Sequence, residues 1–156
     1  IIGGNALVVS IAMGIYLLAR SVLQIPIAIV IDKIKGEKDD YSLMVTFSVI
    51  SSLVMLCYLI INQPWQLYLV QLVLGIATAI TYPSYMAIFT RHIDRNKEGT
   101  EWGIYYTLTD MGSAALAIIG GYLATYYGFQ ILIVTVSLLS FIGAVLLIPI
   151  KGNIRN

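Results

Sequence analysis

The sequence predicts an all-α integral membrane protein with five membrane-crossing helices. Three observations carry this. Of 156 residues, 59% are hydrophobic and only 11% charged, where soluble domains carry about 25% charged residues. Two long stretches hold no Asp, Glu, Lys or Arg. The basic residues gather on one side of the helices that those stretches imply. Mean hydropathy is +0.88. Such a chain is not expected to be a soluble enzyme, a disordered segment or a nucleic-acid binder. The net charge of +1 points to no acidic partner, and the single Cys57 excludes a disulfide framework and a multi-cysteine metal site. No basic region precedes the first apolar stretch, so that stretch does not read as a signal peptide, and the chain is expected to be cut from a longer protein.

The elements follow from the charges. The first span, α1, covers about 7–31. From Tyr41 to Thr90 run 50 residues without a charge. As one helix they would run roughly 75 Å, against a hydrocarbon core of about 30 Å, so the stretch must fold back once. The break is Asn62-Gln63-Pro64-Trp65-Gln66, where proline stops a continuing helix. This gives α2 at about 43–61 and α3 at about 67–90. A second uncharged run, Met111 to Ile150, breaks at Tyr126-Tyr127-Gly128-Phe129, giving α4 at about 102–126 and α5 at about 130–150. The runs lack the alternation of a transmembrane β-barrel. The whole of 1–156 reads as one helical domain in the lipid bilayer.

Eight of the nine basic residues fall on one side of these spans: Lys33, Lys35, Lys38, Arg91, Arg95, Lys97, Lys151 and Arg155. By the positive-inside rule that side is the cytoplasm, with the amino end outside and the carboxyl end inside a cell (inner) membrane. Tyr58, Trp65, Tyr68, Tyr126, Tyr127 and Phe129 mark the outer interface; Tyr41, Trp102 and Tyr105 mark the inner one. An outside amino end is expected to need one more helix ahead of Ile1, making six, half the size of a common transporter.

Three helices depart most from uniform apolarity. On α3, Gln71, Gly75, Thr78, Tyr82 and Tyr85 share an arc of about 80° at 100° per residue. This stripe fits a face on a solute path, or hydrogen-bonding glue between helices. Pro83 interrupts the same helix and fits a bend or hinge. Near the middle of α1 stands Arg20, with Tyr16 and Gln24 one turn to either side. It reads as a contact for an anionic substrate, the partner of a carboxylate, or a structural tie. Asp110 on α4 suits proton coupling, ion pairing or a structural hydrogen bond, and an Arg20–Asp110 pair is one hypothesis. A charge in hydrocarbon costs several kcal/mol, so both residues should face a cavity or a partner. Gly103, Ser113, Ala117, Gly121 and Ala124 near Asp110 fit close helix packing. The lone His92 reads as a solvated loop residue and Cys57 as inert packing. No nucleophile–base set, phosphate loop, dinucleotide fingerprint or metal motif is present, so neither enzyme activity nor a cofactor is expected.

In order and topology the chain resembles one half of a major facilitator superfamily transporter. The segment Ala28-Ile29-Val30-Ile31-Asp32-Lys33-Ile34-Lys35-Gly36-Glu37-Lys38 stands where the family carries G-x-L-A-D-R-x-G-R-K. Asp32 matches the aspartate, Lys33 replaces the arginine, and Gly36 comes one residue late. Leu74-Gly75-Ile76-Ala77, Tyr82-Pro83 and Glu98-Gly99-Thr100-Glu101-Trp102-Gly103 are similar to the fourth-to-fifth helix region of such a half. Gly120-Gly121-Tyr122-Leu123 and Tyr127-Gly128-Phe129 are similar to its fifth-to-sixth turn. Leu116-Ala117 stand where the antiporter signature has Gly-Pro, which fits a carboxyl-terminal half.

The resemblance implies an incomplete six-helix half, helices eight to twelve of twelve. It implies secondary active transport of a small solute by alternating access, coupled to an ion or solute gradient, with a proton or a sodium ion as coupling ion. Its partner would be the missing amino-terminal half, without which the fragment should not transport. Gln71, Thr78, Tyr82 and Tyr85 would line the path with Arg20 and Gln24. Asp110 would serve coupling or gating, and Asp32 would latch to Arg91. The alternative is a small non-transporting membrane subunit or assembly protein.

Overall fold

The computed structural model describes residues 5–34 and 36–154. Ile1 and two of the basic residues, Lys35 and Arg155, lie outside the described residues. Five α-helices follow one another, with no strand among the described residues. Helix α1 is Ala6–Lys33, opened by Asn5, whose side chain accepts the Leu7 N–H at 3.0 Å. It stops at Ile34, which is extended. Gly36 then turns the chain at φ +104°, a conformation that a side chain makes unfavourable.

Helix α2 is Lys38–Leu56, continued by a 3-10 turn at Cys57–Leu59. It begins at Lys38 rather than near 43. Asp39 and Asp40 occupy its first turn, where the unpaired backbone N–H groups favour negative charge. Helix α3, Pro64–Arg91, starts on a proline whose missing N–H costs nothing there. Gln66 Oε1 accepts the N–H groups of Asn62 at 2.7 Å and Gln63 at 3.0 Å. Helix α4, Glu98–Tyr126, has Glu98 and Glu101 in its first turn. In the loop ahead of it, Lys97 bonds Asp94 at 2.8 Å and holds that exposed carboxyl below the usual carboxylate range. Gly128 at φ +87° then admits α5, Phe129–Leu146, and a 3-10 stretch covers Ile148–Asn153.

Helix α3 lies between α1 and α2; α5 packs on the other flank of α2, and α4 packs on α5. Most of the buried residues of α3 are small: Gly75, Ala77, Ala79 and Ser84, with Ile88 the larger exception. At the Arg91 end the row bends round, and aromatic rings of α4 meet those of α3. Trp102 stands edge-on to Phe89 at 4.9 Å, and Tyr105 lies 5.2 Å from Phe89 and 5.9 Å from Tyr85. Beside them Tyr41, Met44 and Ile88 form the buried apolar core, with Tyr85 and Leu147 packed against it.

The Tyr41 hydroxyl donates to Ile148 O at 3.0 Å and ties the start of α2 to the end of α5. Tyr41→Phe is expected to lower stability by about 1 kcal/mol, roughly 2–4 °C in thermal unfolding. An unchanged melting temperature in detergent would show that this tie contributes nothing.

Large apolar side chains cover the outside: Val22, Ile118 and Leu146 are 66%, 75% and 68% exposed. That surface suits lipid, not water. Among the described residues, four helical stretches are long and apolar enough to cross a membrane: 6–33, 38–59, 64–91 and 129–152. The sequence predicts five. Helix α4 has the length, 29 residues, but with Asp110 in its interior it holds no stretch as apolar as those four. Its two ends nonetheless lie at opposite ends of the bundle. It starts beside Phe89 near Arg91. It finishes one turn before α5, whose first residues, Phe129 and Gln130, share a pocket with Tyr58 and Asn62.

Candidate functional site

The contact between α1 and α3 builds the site. It is made at Gly75. A Cβ placed there would stand 2.7 Å from Tyr16 O and 3.0 Å from Ala19 Cβ, so only glycine lets the two backbones come this close. One turn on, Thr78 Oγ1 donates to Leu74 O at 2.8 Å and accepts the Tyr16 hydroxyl at 3.4 Å. These two members of the polar stripe join helices. A turn further, the Tyr82 ring lies under the Arg20 guanidinium, 5.1 Å from Cζ to the ring centroid. Arg20 Nε also donates to Gln24 Oε1 at 3.3 Å, within α1.

Beyond that layer the helices part. An open cleft of about 540 Å³ runs between them from Gln24 and Tyr82 to Asp32 and Arg91, with Pro83 and Met86 on its wall. Proline has no N–H to give to the preceding turn, so α3 lacks one rung of its ladder beside the cleft.

The stripe is thus not one surface. Tyr82 reaches the cleft; Thr78 and Gly75 are spent on helix contact. Tyr85 belongs to the aromatic cluster with Phe89 and Tyr105. Gln71 is partly buried two turns from Thr78, away from the cleft lining. Asp110 is exposed on α4, a helix with no buried residue. Among the described residues no ion pair joins it to Arg20; α1 packs on α3 while α4 packs on α5.

The expected Asp32–Arg91 latch does not form either. Arg91 pairs with Asp40, and its Nη1 also donates to Gly36 O at 3.2 Å. Asp32 is exposed on the cleft wall. The cause is the early start of α2, which sets Asp40 on a helix packed against the end of α3. His92 is no free loop residue. It caps α3, its Nδ1 lying 3.0 Å from Ile88 O and 3.7 Å from the buried Glu37 carboxylate. Glu37 and Asp40 were not singled out from the sequence. The signal for them was the run of acids just before an apolar helix, a helix-start pattern. The described residues hold no group of His, Cys, Asp or Glu suited to a metal ion.

Fold and site together define a multi-pass helical membrane protein with an open cleft, polar at its two ends, between two of its helices. A family model of the Major Facilitator Superfamily matches residues 1–152. The chain belongs to that family, whose members are membrane transporters. No curated protein and no solved structure matches it.

Proposed function

We propose that the chain serves secondary active transport of a small solute by alternating access, and that the solute path runs through the α1–α3 cleft. The observation that carries this is the cleft itself. It lies between two apolar helices, yet Gln24 and Tyr82, both in contact with Arg20, form one end and Asp32 and Arg91 the other. Charged groups at membrane depth are costly and mark solute or ion paths. In this reading two helical halves rock about the midplane, this chain supplying one wall and an amino-terminal half the other. Pro83 supplies the bend, and the Asp40–Arg91 pair closes one end. Asp110, exposed on α4, serves as the coupling carboxylate for a proton or a sodium ion.

Residues 1–156 act as one transmembrane domain in which α4 crosses as well, making five crossings. What supports this is the placement of its two ends, beside Arg91 and beside Tyr58. The cytoplasm lies at the end of Lys33, Arg91, Lys97 and Lys151, the amino end is outside, and the membrane is the cell (inner) membrane. The test is uptake into vesicles carrying the intact gene product, with labelled sugars, peptides, drugs and organic anions under imposed proton and sodium gradients. Saturable, gradient-driven uptake that Tyr82→Ala abolishes is expected. Uptake of none of them, or uptake indifferent to Tyr82 and Gln24, sinks the reading.

A further inference from the structure

We propose that the solute is an organic anion, held by its carboxylate, phosphate or sulfonate group at Arg20. The inference rests on the α1–α3 cleft being the solute path. Arg20 stands in the middle of α1 and is charged at any physiological pH. Among the described residues its partners are neutral: the Gln24 amide oxygen on Nε and the face of Tyr82. Of the five N–H donors of a guanidinium, one is engaged; the four on its terminal nitrogens have no acceptor among the described residues.

The acids of the chain do not neutralise it. Asp110 is on α4, which packs elsewhere. Asp32 is twelve residues along α1, about 18 Å away at 1.5 Å per residue. Asp40 is taken by Arg91. A permanent cation at this depth without a carboxylate needs a counter-ion.

The neighbours are arranged for one. Arginine only donates, so Gln24 turns its oxygen toward Arg20, and its NH2 group remains as a donor. Tyr82 adds a hydroxyl. This end of the cleft thus offers an amide N–H pair and a phenol, with the flat Arg20 cation directly against both and no acid beside them. Such a donor set fits an oxyanion, which a guanidinium binds in bidentate fashion. Further along, the walls are apolar, with Ile25, Ile29 and Met86. The ligand is therefore an anionic head on an apolar body, small enough for about 540 Å³.

The test is thermal unfolding of the intact gene product in a neutral detergent at constant ionic strength. The probes are benzoate, hexanoate and phenyl phosphate, with benzamide, hexanamide and phenol as uncharged counterparts. At least one anion is expected to raise the melting temperature saturably, and its counterpart to leave it unchanged. Arg20→Gln should abolish the shift, and Arg20→Lys should weaken apparent affinity about ten-fold, the loss of one charged hydrogen bond. If Arg20→Gln does not fold, Gln24→Ala carries the test, with a weakened anion shift expected. The proposal is overturned if no anion shifts the protein, if the shift survives Arg20→Gln, or if only added phosphatidylglycerol gives it, which would make Arg20 a lipid contact. A saturable shift from an uncharged or cationic solute, lost in Tyr82→Ala, overturns the anion and leaves the solute path standing. No saturable shift from any solute removes both.

Discussion

Arg91→Ala is expected to destabilise the protein by about 3 kcal/mol, near the low end for breaking a buried ion pair. The asymmetry of the pair is the reason. The Asp40 side chain is 1% exposed while that of Arg91 is 32% exposed. Removing the arginine strands a carboxylate that water cannot reach, and the Gly36 carbonyl at the turn loses its donor as well. The loss corresponds to roughly 6–12 °C in thermal unfolding for a chain of this size. Arg91→Lys keeps the charge but not the fork of donors, and should fall between the two. Adding Asp40→Asn to Arg91→Ala should restore part of the loss, because the stranded charge is then gone. A melting temperature of Arg91→Ala within about 1 °C of the parent would mean that the pair does not hold α2 to α3.

The second large effect belongs to Gly75. Even alanine there places a carbon 2.7 Å from a backbone oxygen of α1, closer than such atoms come, and a backbone cannot swing aside as a side chain can. Gly75→Ala is expected to cost about 2 kcal/mol, and Gly75→Val more, by forcing α1 off α3. The cleft beyond would widen, so uptake should fall with stability. Gly121 on α4 is the control. A Cβ there meets nothing within 4 Å. Gly121→Ala should be neutral or stabilising, by at most about 1 kcal/mol, since alanine favours the helix. Equal effects at the two glycines would contradict the close approach of α1 and α3.

These positions also show how far the sequence could be read. Five helices lie in the order that the apolar runs imply, because a long uncharged run in lipid has few alternatives to a helix. The family expected from the motif order is the family the chain matches. The start of α2 was less legible. Asp39 and Asp40 look like loop charges when helices are traced by hydrophobicity alone, and only their value to a helix amino terminus puts them inside α2. The partner of Arg91 was misplaced for that reason.

The polar stripe on α3 marks the other limit. Helical periodicity gives the direction in which each side chain leaves its own axis. It does not say which helix stands there, or how near. Gly75, Thr78, Tyr82 and Tyr85 point one way, yet they meet a backbone, a tyrosine hydroxyl, an arginine and a cluster of rings.

By itself the sequence determined that this protein is helical and that it belongs in a membrane, and it singled out Arg20 and Asp110 as the charges inside its long helices. Hydrophobicity and charge act locally and can be summed along a chain. Only the tertiary structure decided that Arg20 rests on Tyr82, that Asp110 stands apart from it, and that Asp40 rather than Asp32 holds Arg91. The first of these joins residues 62 positions apart, Arg20 and Tyr82. Such outcomes depend on how whole helices pack, as at the α1–α3 crossing, where Gly75 permits the close approach.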